Sequence, residues 1–157
     1  MKSDIIEELF RQHYNDALLY VLSLSKNKTV SEDIVSEAFF KALCTSDEVT
    51  NFKAWLFTVC RNMYFNESRR YRYRAEMTDD VAEERESLVE EIIREDDYRA
   101  LYRAIGLLPQ IQTEVITLFY FEGQSVRDIA FITDKTEANV KVLLYRAREN
   151  LRKILGA

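Results

Sequence analysis

Glycine and proline are scarce, with three and one in 157 residues. So little turn punctuation cannot serve a many-stranded sheet, and Gly-rich phosphate loops and dinucleotide fingerprints are absent outright. Long apolar runs are missing as well. The longest uncharged stretch, 104–113, has ten residues, against the roughly 18 or more that span a bilayer. The opening MKSDIIEE is acidic where a secretory leader is basic, so no signal peptide is expected. Cysteine occurs twice, at Cys44 and Cys60, without CxxC spacing. Free thiols in a reducing cytoplasm follow. Histidine occurs once, at His13, a surface or packing residue with no nucleophile to serve. Neither these three residues nor the acidic pairs Glu32-Asp33 and Asp96-Asp97 have the spacing of a zinc or calcium site. The expectation is no metal, no cofactor, no small-molecule substrate and no enzymatic activity.

What is present is apolar residues at 47% and charged residues at 31%, with a net charge of −5. This is a globular composition, and the patterning is helical throughout. The charge is unevenly placed. Residues 1–78 are balanced, 79–100 carry −7, and 101–157 carry +2. The expected fold class is therefore all-α: two small helical domains, 1–78 and 99–157, joined by an acidic linker, 79–98.

In the first block, Ile5, Leu9, Leu18, Leu19 and Leu22 predict one helix, capped by Ser3 and open to a break near Tyr14-Asn15. A second helix, capped by Thr29 or Ser31, has Ile34, Ala38, Phe39, Ala42 and Leu43 inward and Asp33 and Glu37 outward. A polar loop, 45–51, precedes a third helix from Phe52 to about Arg74, with Trp55, Leu56, Val59 and Met63 as its stripe. On such a stripe a Trp is more often core than a stacking platform.

The second block predicts helices over 98–106, 110–121, 125–132 and 136–155, with breaks at Pro109, Gly123 and Thr133-Asp134-Lys135. Two helices on a three-residue turn, with small Ala130 allowing close crossing and Ile129 and Ile132 inward, have helix-turn-helix spacing. Thr136 is the natural N-cap of the second. Val140, Leu143 or Leu144, Ala147 and Leu151 face the core, so Glu137, Ala138, Lys141, Val142 and Tyr145 face outward. Exposed residues of that kind reach base edges in a major groove, and Arg146, Arg148, Arg152 and Lys153 follow as phosphate contacts. The alternative is plain packing with a solvated outer face.

A second constellation runs from Arg61 to Arg74, with five Arg and one acid interleaved with Tyr64, Phe65, Tyr71 and Tyr73. Cations neutralise phosphates and flat rings stack on unpaired bases, so opened nucleic acid is the ligand this composition fits. A solvated basic face is the alternative.

Four ordered patterns carry a resemblance. They are Glu32-Asp33-Ile34-Val35-Ser36-Glu37-Ala38-Phe39, then Trp55-Leu56-Phe57-Thr58-Val59-Cys60-Arg61-Asn62 with its Arg-rich continuation, then Leu108-Pro109, and finally Ile129-Ala130 through Thr136, Val140-Lys141, Leu144 and Arg146-Ala147-Arg148. Over essentially its whole length the chain resembles the extracytoplasmic-function (ECF) sigma factors, the small two-domain initiation factors of bacterial transcription. The resemblance implies binding of core RNA polymerase through its beta-prime clamp helices and beta flap, and recognition of promoter DNA. It also implies an anti-sigma factor as inhibitor. It assigns Asp33, Ser36, Glu37 and Phe40 to polymerase. Trp55, Arg61, Asn62, Tyr64, Phe65, Arg69, Arg70, Tyr71 and Arg72 fall to melting and reading the −10 element, with the loop 45–51 holding a flipped base. Thr136, Glu137, Ala138, Asn139, Lys141, Val142, Tyr145, Arg146 and Arg148 fall to the −35 element. Asp134 stands where the family has Gly, and Leu143 where an Arg is common. A self-sufficient helix-turn-helix regulator and a protein-interaction module are the alternative functions.

Overall fold

The computed structural model describes residues 3–45, 49–66 and 89–156. They fall in two compact units, 1–86 and 87–157, and among the described residues no strand occurs.

Among its described residues the first unit is a bundle of α1 (Ser3–Ser25), α2 (Lys28–Cys44) and α3 (Phe52–Asn66). Leu18 through Leu22, with Ala17 before them, are all buried. A helix apolar on every side is one that both partners cover, and α1 packs on α2 and α3 alike. Across α1 and α3 the rings of Tyr20 and Phe57, both fully buried, lie 5.1 Å apart.

Helix α1 is unbroken through Tyr14-Asn15, because neither residue stops a helix whose following turns are this well buried. It opens at Ser3, which is already helical. It ends instead at Lys26, a non-glycine residue in the left-handed region at φ 56°. Neither Thr29 nor Ser31 caps α2. Asn27 does so, its side-chain oxygen accepting from the Val30 amide at 2.9 Å, because the tight turn starts the helix at Lys28. Ser31 is buried and its hydroxyl donates to the Asn27 carbonyl at 2.7 Å. Ile34, Val35, Ala38, Phe39 and Ala42 form the inward stripe. Leu43, expected inside, is exposed at the far edge of the stripe, one residue past fully buried Ala42. Asn51 caps α3 by accepting from the Ala54 amide at 3.2 Å. The inward face of α3 is Phe52, Leu56, Phe57, Cys60 and Met63, leaving Trp55 and Val59 at its edges.

In the second unit the described residues open on a helical turn at 89–92, whose Val89 is buried. Helix α4 (Asp96–Ile105) then starts two residues before Tyr98, with Asp96 and Asp97 in its first turn where the helix dipole favours anions. Arg99 ties the two together, pairing with Asp96 and donating to the carbonyls of Ile93 and Arg94 at 2.9 Å each. Charge alone does not register that apolar anchor, so the structured region reaches back into the acidic segment. Helix α5 (Gln110–Ile116) follows Pro109, and it continues as a π-helical turn, Thr117–Phe121. Thr113 locks its start by donating to the carbonyls of Ile105 and Leu108 at 2.8 and 3.2 Å.

Helix α6 (Val126–Thr133) is capped by Ser125, which accepts from the Asp128 amide at 3.0 Å. Asp134 is left-handed at φ 55°, and the Lys135 amide closes the turn onto the Ala130 carbonyl at 2.9 Å. Thr136 then caps α7 (Glu137–Leu155) through the Asn139 amide at 3.1 Å. Because a Cβ clashes with the following carbonyl in this conformation, Asp134→Val should cost about 1–2 kcal/mol and Asp134→Gly almost nothing. Urea unfolding followed by circular dichroism reads the difference.

Candidate nucleic-acid and partner interfaces

The outward face of α2 carries Asp33, Ser36, Glu37 and Phe40 at i, i+3, i+4 and i+7, one stripe of a helix. Ser36 and Glu37 are exposed and Asp33 is partly so. Phe40 is 65% exposed, an aromatic ring held in solvent beside a carboxylate. The arrangement suits a partner with basic side chains around an apolar contact.

On α3, Trp55 is half-buried and stacks on Phe52, with ring centroids 5.7 Å apart and planes at 28°. It is neither a core residue nor a free platform. Phe52 is buried and also packs against Phe39 and His13 at 5.9 and 5.7 Å, so Trp55 sits on a braced aromatic cluster beside the loop that leads into α3. Nearly two turns on, the Arg61 guanidinium lies over the Phe65 ring at 4.7 Å, and Phe65 meets Tyr64 edge-on at 5.1 Å. Asn62 and Phe65 are exposed, and Tyr64 is half-buried. The structure therefore brings Arg61, Tyr64 and Phe65 into one cationic-aromatic cluster on the last turns of α3. Arg69, Arg70, Tyr71 and Arg72, and 46–48 of the loop, lie outside the described residues.

His13 is a packing residue in this unit. Burial and the nearby Lys53 ammonium push its pKa below 6.5, while Asp16 pulls the other way. Lys53 pairs with Asp16 at 3.2 Å. A His whose folded pKa is depressed contributes its full stability above the unfolded value and loses it as pH falls below about 6.5. His13→Gln should flatten the acid limb of the unit's stability profile, measured as urea midpoints between pH 7.5 and 5. Cys60 is fully buried, and burial pushes its thiol far up, out of reach of thiolate chemistry, whereas Cys44 is exposed. Among the described residues no group of His, Cys, Asp or Glu is placed to hold a metal ion.

In the second unit Ile129 and Ile132 are buried, Ala130 is nearly so, and Val140, Leu144 and Ala147 complete the crossing of α6 and α7. Leu143 and Leu151 are partly exposed. The opposite side of α7 exposes Glu137, Ala138, Asn139, Lys141, Val142, Tyr145, Arg146 and Arg148, preceded by exposed Thr136. Tyr145 is 64% exposed. Arg148 is not a free cation: its Nε donates to the Tyr120 hydroxyl at 2.7 Å and its guanidinium lies 5.6–5.7 Å from the rings of Tyr120 and Phe119. Sequence reasoning missed Tyr120, since Leu118-Phe119-Tyr120 reads as buried helix, and nothing in the pattern announces the π turn that turns the ring outward.

Two family models match the chain: Sigma-70 region 2 over residues 9–75 and Sigma-70, region 4 over 98–151. Among curated proteins, the ECF RNA polymerase sigma factor SigM of Bacillus subtilis is 27% identical, over 94% of this chain and 93% of its own length. The ECF RNA polymerase sigma factor EcfG of Rhodopseudomonas palustris is 31% identical, over 87% and 77%. Among solved structures, the sigma factor RpoE in complex with the anti-sigma factor NepR, from Bartonella quintana, covers 99% of both chains at a TM-score of 0.70 and 26% identity.

Proposed function

We propose a division of labour for a chain that belongs to the ECF RNA polymerase sigma factors. As a member it binds RNA polymerase and directs initiation to specific promoters. In the reading put forward here, the α2 stripe Asp33, Ser36, Glu37 and Phe40 docks on the beta-prime clamp helices. The Trp55 platform and the Arg61–Phe65 cluster, continued by Arg69, Arg70, Tyr71 and Arg72, capture the opened −10 element. The exposed face of α7 reads the −35 element as duplex, and the second unit engages the beta flap. The chain carries out no reaction of its own and works in the cytoplasm, where polymerase is.

The observation that carries the reading is the pairing of two different surfaces on one chain. A helix-turn-helix presents polar and cationic side chains on one face of α7, as duplex recognition requires. The end of α3 presents exposed rings beside a guanidinium, as capture of unpaired bases requires. Opening a duplex costs about 1.4 kcal/mol per base-pair step. Stacking returns about 1–3 kcal/mol per base, enough to hold a bubble once polymerase positions it. A stand-alone duplex-binding regulator has no use for the α3 cluster. The NepR complex of the RpoE relative supports an anti-sigma factor as the inhibitor of this chain too.

In vitro transcription by core polymerase plus this chain, over a randomised promoter library, tests the reading. Enriched templates should share two motifs at fixed spacing. Tight duplex binding without transcription would instead mark a regulator.

A further inference from the structure

We infer that Tyr120 is a positioning residue that presents Arg148 to the promoter backbone, an inference that rests on the −35 reading of α7. Lys141, Tyr145 and Arg148 occupy i, i+4 and i+7 of α7, so they form one exposed stripe. Arg148 lies eleven residues beyond Glu137, about 16 Å along the axis at 1.5 Å per residue. A major groove is about 12 Å wide. With the first turns of α7 at the base edges, Arg148 has passed the groove and stands over the flanking phosphates.

An arginine there is useful in proportion to how little of its rotamer freedom it must surrender on binding. Tyr120 removes much of that freedom in advance. Its hydroxyl accepts from Nε at 2.7 Å, and its ring and that of Phe119 lie together on one side of the guanidinium, 5.6 and 5.7 Å from it. Nε is the one donor on the stem side of the fork. Among the described residues, no hydrogen bond or ion pair engages the two terminal amino groups, which are the pair that grips a phosphate bidentately. The link joins the π turn that precedes the helix-turn-helix to the fourth turn of its recognition helix, positions 28 residues apart. Tyr120 is itself 54% exposed, so its hydroxyl contributes little to folding by burial.

Holoenzyme assembled from core polymerase and the full chain is titrated against a promoter duplex recovered from the library experiment, at several salt concentrations. Tyr120→Phe keeps the ring and deletes the acceptor. It should weaken binding about fourfold at roughly 0.2 M salt and lower the slope of log K against log salt by about 0.9, the signature of one lost phosphate contact. Its thermal melting should match the parent. In an Arg148→Ala background the same change should do nothing further. Unchanged affinity and slope in Tyr120→Phe, or an equal loss with and without Arg148, overturns the inference. Lys141→Ala is the control for the surface: if it weakens binding and Tyr120→Phe does not, only the inference fails. If neither Lys141→Ala nor Arg148→Ala matters, the α7 reading fails and the inference falls with it.

Discussion

Phe57→Ala removes about 3–5 kcal/mol from the first unit, the usual cost of emptying a phenylalanine site that cannot collapse. Phe57 is fully buried and packs on Tyr20, itself inaccessible, so no neighbour is free to fill the space. A domain of this size holds about 5–15 kcal/mol at best, and small ones sit at the low end. The variant should therefore be largely unfolded in its first unit under mild urea. The chain's single tryptophan, Trp55, lies in that unit, so its fluorescence reports the loss directly. Phe57→Leu, which keeps most of the volume, should cost under about 1.5 kcal/mol. A midpoint for Phe57→Ala within the error of the parent would show that the bundle repacks. Transcription should fail with folding, although Phe57 touches no solvent.

The second large effect is confined to function. Trp55 rests on the Phe52 cluster and Phe65 stands exposed beside Arg61. Each ring that stacks on an unpaired base supplies about 1–3 kcal/mol, so Trp55→Ala and Phe65→Ala should each weaken holoenzyme binding to a template single-stranded at −10 by about 5-fold to 150-fold. Binding to the −35 duplex should not change, because α7 belongs to the other unit. Fluorescence anisotropy on the two templates separates the outcomes. Equal losses on both would mean that the rings act on folding or on polymerase contact. Phe65 is 46% exposed, so folding does not explain such a loss.

What the sequence made legible followed from strong local chemistry. Thr136 announces a cap because a hydroxyl before an apolar-periodic run has one obvious amide to satisfy, and it does so. Asp134 reads as left-handed because few side chains tolerate that region, and it is. The outward face of α7 follows from Val140, Leu144 and Ala147 lying inward. What was not legible depends on groups far apart in the chain. Lys26 adopts a left-handed conformation that its residue type does not advertise, and that shifts the α2 cap to Asn27. Leu43 lies outside because the α2 stripe is set by neighbours on α1 and α3. Trp55 sits between the core and platform readings because its exposure depends on Phe52, whose packing on Phe39 and His13 no spacing reveals. The Tyr120–Arg148 link spans 28 positions and is invisible to any window.

The π-helical turn at Thr117–Phe121 sets the angular phase of everything after it. Such a turn holds one residue more than an α-helical ladder accommodates. Shortening it by one would rotate the following backbone by about 100°. Leu118 is fully buried and Tyr120 faces water, a partition that depends on this surplus residue. The length of this stretch is thus as constrained as its composition: a single-codon deletion there would swing an apolar side chain into solvent and break the tether to α7 in one step.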